Sequence, residues 1–180
     1  MAFSSLNTFS ASTGLGVSTK KTTTTYTSGL SFIVYDGYFA DNVSYTSSTI
    51  LYTGTTTSIS TISTGTNGNI AVNGNETYTV VWTGYFKVTV SDTYTFSLES
   101  DDASYLWIDQ TTYTTANATV NNAGAHSMRV ETGTKSLSAG VYYPIRIMFG
   151  EDSGDDNIIF SWYRSGNSTS ITAGTGYFYR

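Results

Sequence analysis

The chain has 180 residues, of which 39% are hydrophobic and only 12% charged, and its net charge is -5. That length supports one domain with a full hydrophobic core, and 8 Lys plus Arg against 13 Asp plus Glu leave no basic footprint for a nucleic-acid backbone. Cysteine is absent, which removes disulfides, thiolate metal sites and a cysteine nucleophile together.

Residues 1–28 are rich in Ser and Thr, lack periodicity, and end in Lys20, Lys21 and a threonine run before Tyr26. Such a segment buries little apolar area alone and reads as an extended arm, a linker, or an edge strand lent to a neighbour. Its opening shows no charged n-region and no apolar h-region, so no signal peptide is expected, and no run reaches membrane-spanning length. Four Asn-X-Ser/Thr sites (Asn42, Asn75, Asn117, Asn167) suit a glycosylated surface, but chance supplies several in so Ser/Thr-rich a chain.

Residues 29–180 read as the domain. Residues 30–35 form an expected strand, closed by the turn pair Asp36-Gly37. Residues 53–69 read as a long loop around Ile59 and Ile62, and Asn73-Gly74 as a tight turn. From residue 77 to 109 the pattern is clearest. Val80, Trp82, Phe86, Val88 and Val90 alternate with polar partners, as do Tyr94, Phe96 and Leu98, before the strand at residues 105–109. Three strands joined by short polar turns are expected to form a meander, with strands at residues 127–130, 141–149, 158–163 and 176–180 supplying the facing sheet. The fold class that follows is all-β, an antiparallel β-sandwich of the jelly-roll kind. Trp82, Trp107 and Trp162 lie in alternating strands and are assigned to packing.

The densest acidic features are Asp101-Asp102 and the loop Glu151-Asp152-Ser-Gly-Asp155-Asp156-Asn157, both at strand ends. Carboxylates from two such loops provide much of the oxygen shell that Ca²⁺ requires. Solvated turns explain the same residues, because Asp and Gly are ordinary turn formers. The single histidine, His126, has no Gly-X-Ser-X-Gly elbow to serve and reads as solvated. A glycosidase pair is defined by a carboxylate separation that a sequence does not carry, so Asp36, Asp41, Glu99, Asp109 and Glu131 stay unassigned. No Gly-Lys-Ser/Thr phosphate loop is present.

The run Val81-Trp82-Thr-Gly84-Tyr-Phe86-Lys-Val88, followed by Asp92-Thr-Tyr94-Thr-Phe96-Ser-Leu98-Glu-Ser100-Asp101-Asp102-Ala-Ser-Tyr105-Leu106-Trp107-Ile108-Asp109, resembles the central signature of PA14-type domains. Ala139-Gly140-Val-Tyr142-Tyr143-Pro144-Ile145-Arg146-Ile147 is similar to a strand of the GLEYA subgroup, and Gly29-Leu30-Ser-Phe32 with Asp36-Gly37-Tyr38-Phe39 to its opening strand. The resemblance covers roughly residues 29–165. It implies a β-sandwich that is generally non-catalytic. In the fungal adhesins of that group, adjacent aspartates linked by a cis peptide hold a Ca²⁺ that itself binds vicinal sugar hydroxyls. Those positions match Asp101 and Asp102. The family's next ligand is an Asn, where this chain has Glu151 in a longer, more acidic loop, and the cysteine pairs of many fungal adhesins are missing.

The resulting expectation is a non-catalytic surface module that binds carbohydrate or mediates adhesion with calcium. Asp101, Asp102 and Glu151 are the ligand-binding residues, and the same three with Asp152 and Asp155 are the metal ligands. The expected partners are glycans, with protein partners engaged through the N-terminal arm and no membrane insertion. A different reading makes the chain a structural or attachment protein on the exterior of a virus particle or other assembly, prompted by the Met1 start without export signal, the arm and the absence of cysteine. A third makes it an accessory domain of a glycoside hydrolase. The expected location is extracellular, on the cell surface or on a particle exterior.

Overall fold

The computed structural model describes residues 24–59, 77–172 and 174–180. Its strands in chain order are β1 (Leu30–Asp36), β2 (Ile50–Thr56), β3 (Tyr78–Lys87), β4 (Asp92–Asp101), β5 (Ser104–Ile108), β6 (Val120–Asn122), β7 (Arg129–Leu137), β8 (Tyr142–Glu151), β9 (Asn157–Arg164), β10 (Asn167–Ile171) and β11 (Phe178–Tyr179). One 3₁₀ turn, Thr115–Asn117, is capped reciprocally by Thr114 and Asn117. Among the described residues no helix is long and apolar enough to cross a membrane.

Every strand pairing is antiparallel, and the strands fall into two sheets. One runs β2-β1-β3-β8-β5-β6, with β11 also pairing β3, and the other runs β10-β9-β4-β7. The period-two alternation of β4 (Tyr94, Phe96, Leu98) and β9 (Ile158, Phe160, Trp162) aims their apolar residues at the first sheet. That sheet answers with Leu30, Phe32 and Val34 of β1, Val80, Trp82 and Phe86 of β3, and Ile145, Ile147 and Phe149 of β8. Phe86 sits amid Phe96, Trp162, Tyr177 and Phe178, its ring 5.2 Å edge-on from Trp162. All three tryptophans are buried. The antiparallel sandwich expected from alternation is present.

The meander is not. β3 pairs with β1, β8 and β11, β4 with β7 and β9, and β5 with β6 and β8. Each short polar connection between them therefore crosses from one layer to the other. Alternation fixes which side chains face the core, but a strand can satisfy that rule in either layer. β2 has no counterpart in the sequence reading, which places residues 53–56 in a loop, and Ile59 beyond it is fully buried. β6 and β10 have no counterpart in the sequence reading, and the strand expected at residues 127–130 starts at Arg129 and runs to Leu137. Ile62 and Asn73-Gly74 lie outside the described residues.

The outer face of the first sheet also carries an apolar cluster. Phe39 and Val43, from the β1–β2 connection, pack on Val81, Ala103, Tyr105, Trp107 and Met148. Tyr105 fixes that connection by donating to Asp41 Oδ1 at 2.9 Å. Most of the expected arm falls outside the described residues, but its last part docks on the body. Tyr26 stacks on Tyr142 with ring centroids 3.8 Å apart, and the Thr27 and Arg180 backbones exchange hydrogen bonds of 2.9 and 2.8 Å.

Candidate metal centre

Two of the layer crossings run side by side at one pole of the sandwich. β4 ends at Asp101, passes through Asp102 and Ala103, and enters the other sheet as β5. β8 ends at Glu151, and residues 152–156 carry the chain back across to β9, whose Asn157 pairs with Asp101. The crossings are tied together where Gly150 N donates to Ala103 O at 2.9 Å. Tyr78, opposite Glu151 in the β3–β8 register, donates its hydroxyl to Asp156 Oδ2 at 2.7 Å and holds the acidic loop down.

This arrangement brings Asp101, Asp102 and Glu151 together, with one carboxylate oxygen of each within 4.8 Å of the others. The Asp101–Asp102 peptide is cis, as the resemblance implies. Asp102 is buried and fixed at both oxygens: Oδ1 accepts from His126 N at 2.6 Å and Oδ2 from Asp152 N at 2.9 Å. Its carbonyl accepts from Ser100 Oγ at 2.6 Å. Asp152 and Asp155 are exposed, and their carboxylates lie outside the group of three. Asp152 joins it through its backbone N–H alone.

Glu151 is only 1% exposed, yet neither of its carboxylate oxygens has a hydrogen-bond partner among the described residues. Burial first, and then the nearby Asp102, Asp156, Asp101 and Asp152, push its pKa up to about 8. Asp101 is raised too, by burial and then by Asp102. A buried carboxyl with no donor violates the usual satisfaction of interior polar groups. A divalent cation resolves all three observations, because it supplies the missing partner to Glu151 and offsets the mutual repulsion of the carboxylates. The donor set is all oxygen, which suits a hard cation such as Ca²⁺. The residues fit the ion.

Several contributors lie outside the sequence reading. His126 is half-buried rather than solvated, and it enters through its backbone N–H. Tyr38 has a buried hydroxyl without a hydrogen-bond partner among the described residues. Burial first, then Asp41, Asp102, Asp152 and Glu151, hold that hydroxyl well above its ordinary pKa. Neither role has a local signal, since both residues arrive from loops distant in sequence. Tyr38 and Phe39 pack on Gly150, where an added Cβ would run into Phe39 Cδ1 and come within 2.9 Å of Tyr38 Cδ2. Gly150→Ala is expected to cost about 1–3 kcal/mol of stability by overpacking. Chemical denaturation measures it, and a wild-type midpoint would show that the Phe39 ring moves aside freely.

The family model described as "PA14 domain" matches residues 26–173. The chain belongs to the PA14 domain family. No curated protein matches it in sequence. Among solved structures, this PA14 domain is similar to the epithelial adhesin 6 A domain from Candida glabrata, in complex with Galβ1-3GlcNAc. The TM-score is 0.68 and the identity 18%, over 87% of this chain and 88% of the other. A "PA14 sugar-binding domain from RTX adhesin" gives a TM-score of 0.65 at 14% identity, over 84% of this chain and 97% of that one. An anti-sigma factor domain-containing protein from Clostridium clariflavum gives 0.66 at 22% identity, over 83% of this chain, which spans 46% of that protein's length. At these identities the likeness is one of fold.

Proposed function

We propose that this PA14 domain is a non-catalytic, calcium-dependent carbohydrate-binding module that works in adhesion on the outside of a cell or particle. The observation that carries the reading is the Glu151 carboxylate, without a hydrogen-bond partner among the described residues and buried beside Asp101 and Asp102 at one pole of the sandwich. Asp101, Asp102 and Glu151 hold the cation, and Asp152 and Asp155 add negative potential at the rim. Calcium, when bound, offers coordination positions beyond those the carboxylates fill, and vicinal hydroxyls of a sugar are suitable oxygen donors for them. Glycans with a galactose end are the first ligands to try, because Candida glabrata epithelial adhesins of this fold are known in complex with Galβ1-3GlcNAc and Galβ1-4GlcNAc.

The protein's own residues supply rigidity and placement. Asp102 is clamped by backbone donors from two loops, so the site is pre-formed and little ordering entropy remains to be lost on binding. The paired backbones of Thr27 and Arg180 lie at the other end of β3, where β11 joins Tyr85 and Phe86, while Glu151 faces Tyr78. That is on the order of 25 Å away along the strand, so the acidic pole projects clear of them.

Calorimetric titration tests the reading directly. Calcium is expected to bind the wild-type chain, Asp101→Ala is expected to lose that binding, and galactose-terminated disaccharides are expected to bind only with calcium present. Absence of calcium binding at millimolar concentration in the wild type would remove the reading.

A further inference from the structure

Exposed sheet edges invite pairing with other chains, and proteins blunt them with short strands, bulges, charges or covering segments. Three of the four lateral edges described here are blunted. β6 has three residues, and β10 breaks register between Asn167 and Ile171. β7 carries Arg129, Glu131 and Lys135, and its Gly133 lies hard against the Thr119 carbonyl, which covers it.

β2 has one of these devices at its start, a register break against β1 that leaves Leu51 as an extra residue, and from Tyr52 onward it has none among the described residues. It is seven residues long, Ile-Leu-Tyr-Thr-Gly-Thr-Thr, without proline or charge, and no charged side chain occurs anywhere from residue 42 to residue 75. Among the described residues it pairs with β1 alone. Ile50 and Tyr52 are each 54% exposed, the highest values among the large hydrophobic residues described. In a chain of net charge -5, this stretch is where two copies approach without like charges meeting.

We propose that β2 is a self-association seam, at which a second copy of this chain pairs antiparallel along β2 about a two-fold axis at Thr53. The register is chosen by the side chains. It sets Tyr52 of each copy opposite Gly54 of the other. Phe32 already lies over Gly54, its Cζ 2.7 Å from where a Cβ would stand, and Phe32 and Tyr52 have ring centroids 5.8 Å apart. The pairing therefore lines up four rings across the seam, with each tyrosine meeting the other copy's Phe32 across a glycine that has no side chain to intervene. An axis through Thr53 keeps the inner faces of both copies on one side, so the two sheets become one continuous sheet.

Sedimentation velocity on the full chain, from low micromolar to submillimolar protein, tests the seam. It is run in chelator so that the outcome does not depend on the metal site. A dimer whose share rises with concentration is expected. Thr53→Lys and Thr53→Asp place like charges face to face on the axis and are each expected to weaken dimerisation by at least about tenfold. An equimolar mixture of the two is expected to restore it as a heterodimer. Thr53 is exposed, so both variants should keep the wild-type thermal midpoint, which separates lost pairing from lost folding. A wild type that stays monomeric throughout overturns the proposal. Variants that dimerise as the wild type does, or a mixture that fails to recover, overturn it equally.

Discussion

In chelator, raising the pH from about 5 to about 9 is expected to destabilise the wild-type protein by on the order of 4 kcal/mol, and Glu151→Gln is expected to abolish most of that loss. The sign follows from the direction of the shift. Glu151 has a folded pKa pushed up to about 8 from an ordinary 4.5, so the folded state holds a proton that the unfolded state has released. The stability this confers is complete below the unfolded value and disappears as the pH rises through the folded one. Asp101, also raised, adds in the same direction. Asp92 acts oppositely, being lowered to about 2, chiefly by its hydrogen bonds from Ser165 and Gly166. Its contribution is present above about pH 4 and is lost only as the pH falls further, so the chosen window leaves it constant. A glutamine at residue 151 imitates the protonated carboxyl and has nothing to lose.

Calcium should reverse the pattern in the wild type and not in the variant. A cation bound only by the folded state stabilises it by about 2.7 kcal/mol at a hundredfold excess over its dissociation constant. Binding needs the deprotonated carboxylates, so the calcium effect should grow with pH over the range in which the chelated protein weakens. Glu151→Gln removes one of the three clustered carboxylates and should lose the effect. Denaturant melts at several pH values, with chelator and with calcium, measure both arms. A wild type whose chelated stability is flat from pH 5 to pH 9 would mean that the Glu151 carboxyl is not the strained group described above.

What the sequence conveyed about the fold is what a period of two can convey. Tyr94, Phe96 and Leu98 announced a strand with one buried face, and the structure buries all three. The same alternation was silent on pairing, so the connections after Lys87 and after Asp101 read as hairpin turns although they cross between layers. β10 escaped notice because Asn167, Ser168, Thr169 and Ser170 are exposed on an edge and carry no apolar rhythm. The site divides in the same way. Asp101, Asp102 and Glu151 were visible through the family signature and the acidic loop. Tyr38, His126 and Asn122 were not, because each acts through a contact made across the fold.

Asn122→Ala is expected to cost about 2–4 kcal/mol and to weaken calcium binding at least tenfold, although the Asn122 amide bonds to none of the three carboxylates. The side chain is fully buried, donates from Nδ2 to Ser100 Oγ at 2.9 Å and to Arg129 O at 3.1 Å, and accepts from Arg129 Nε at 2.7 Å. A serine hydroxyl has one proton and two lone pairs. Ser100 uses its proton on the Asp102 carbonyl, so the 2.7 Å contact with Ser104 Oγ and the bond from Asn122 fill both lone pairs. That makes Ser104 the donor of the pair and leaves the hydroxyl fully committed, with its proton direction fixed toward Asp102. Removing the Asn122 amide frees one lone pair in a buried site, and the hydroxyl can then rotate and release the Asp102 carbonyl. Asn122→Asp separates this account from a simple volume effect. It keeps the shape and the acceptor for Arg129 but replaces the donor to Ser100 with an acceptor, so it should lose calcium affinity as the alanine variant does. If Asn122→Asp binds calcium with wild-type affinity, the carboxylates are held by the strand ends alone and the hydroxyl network beneath them is incidental.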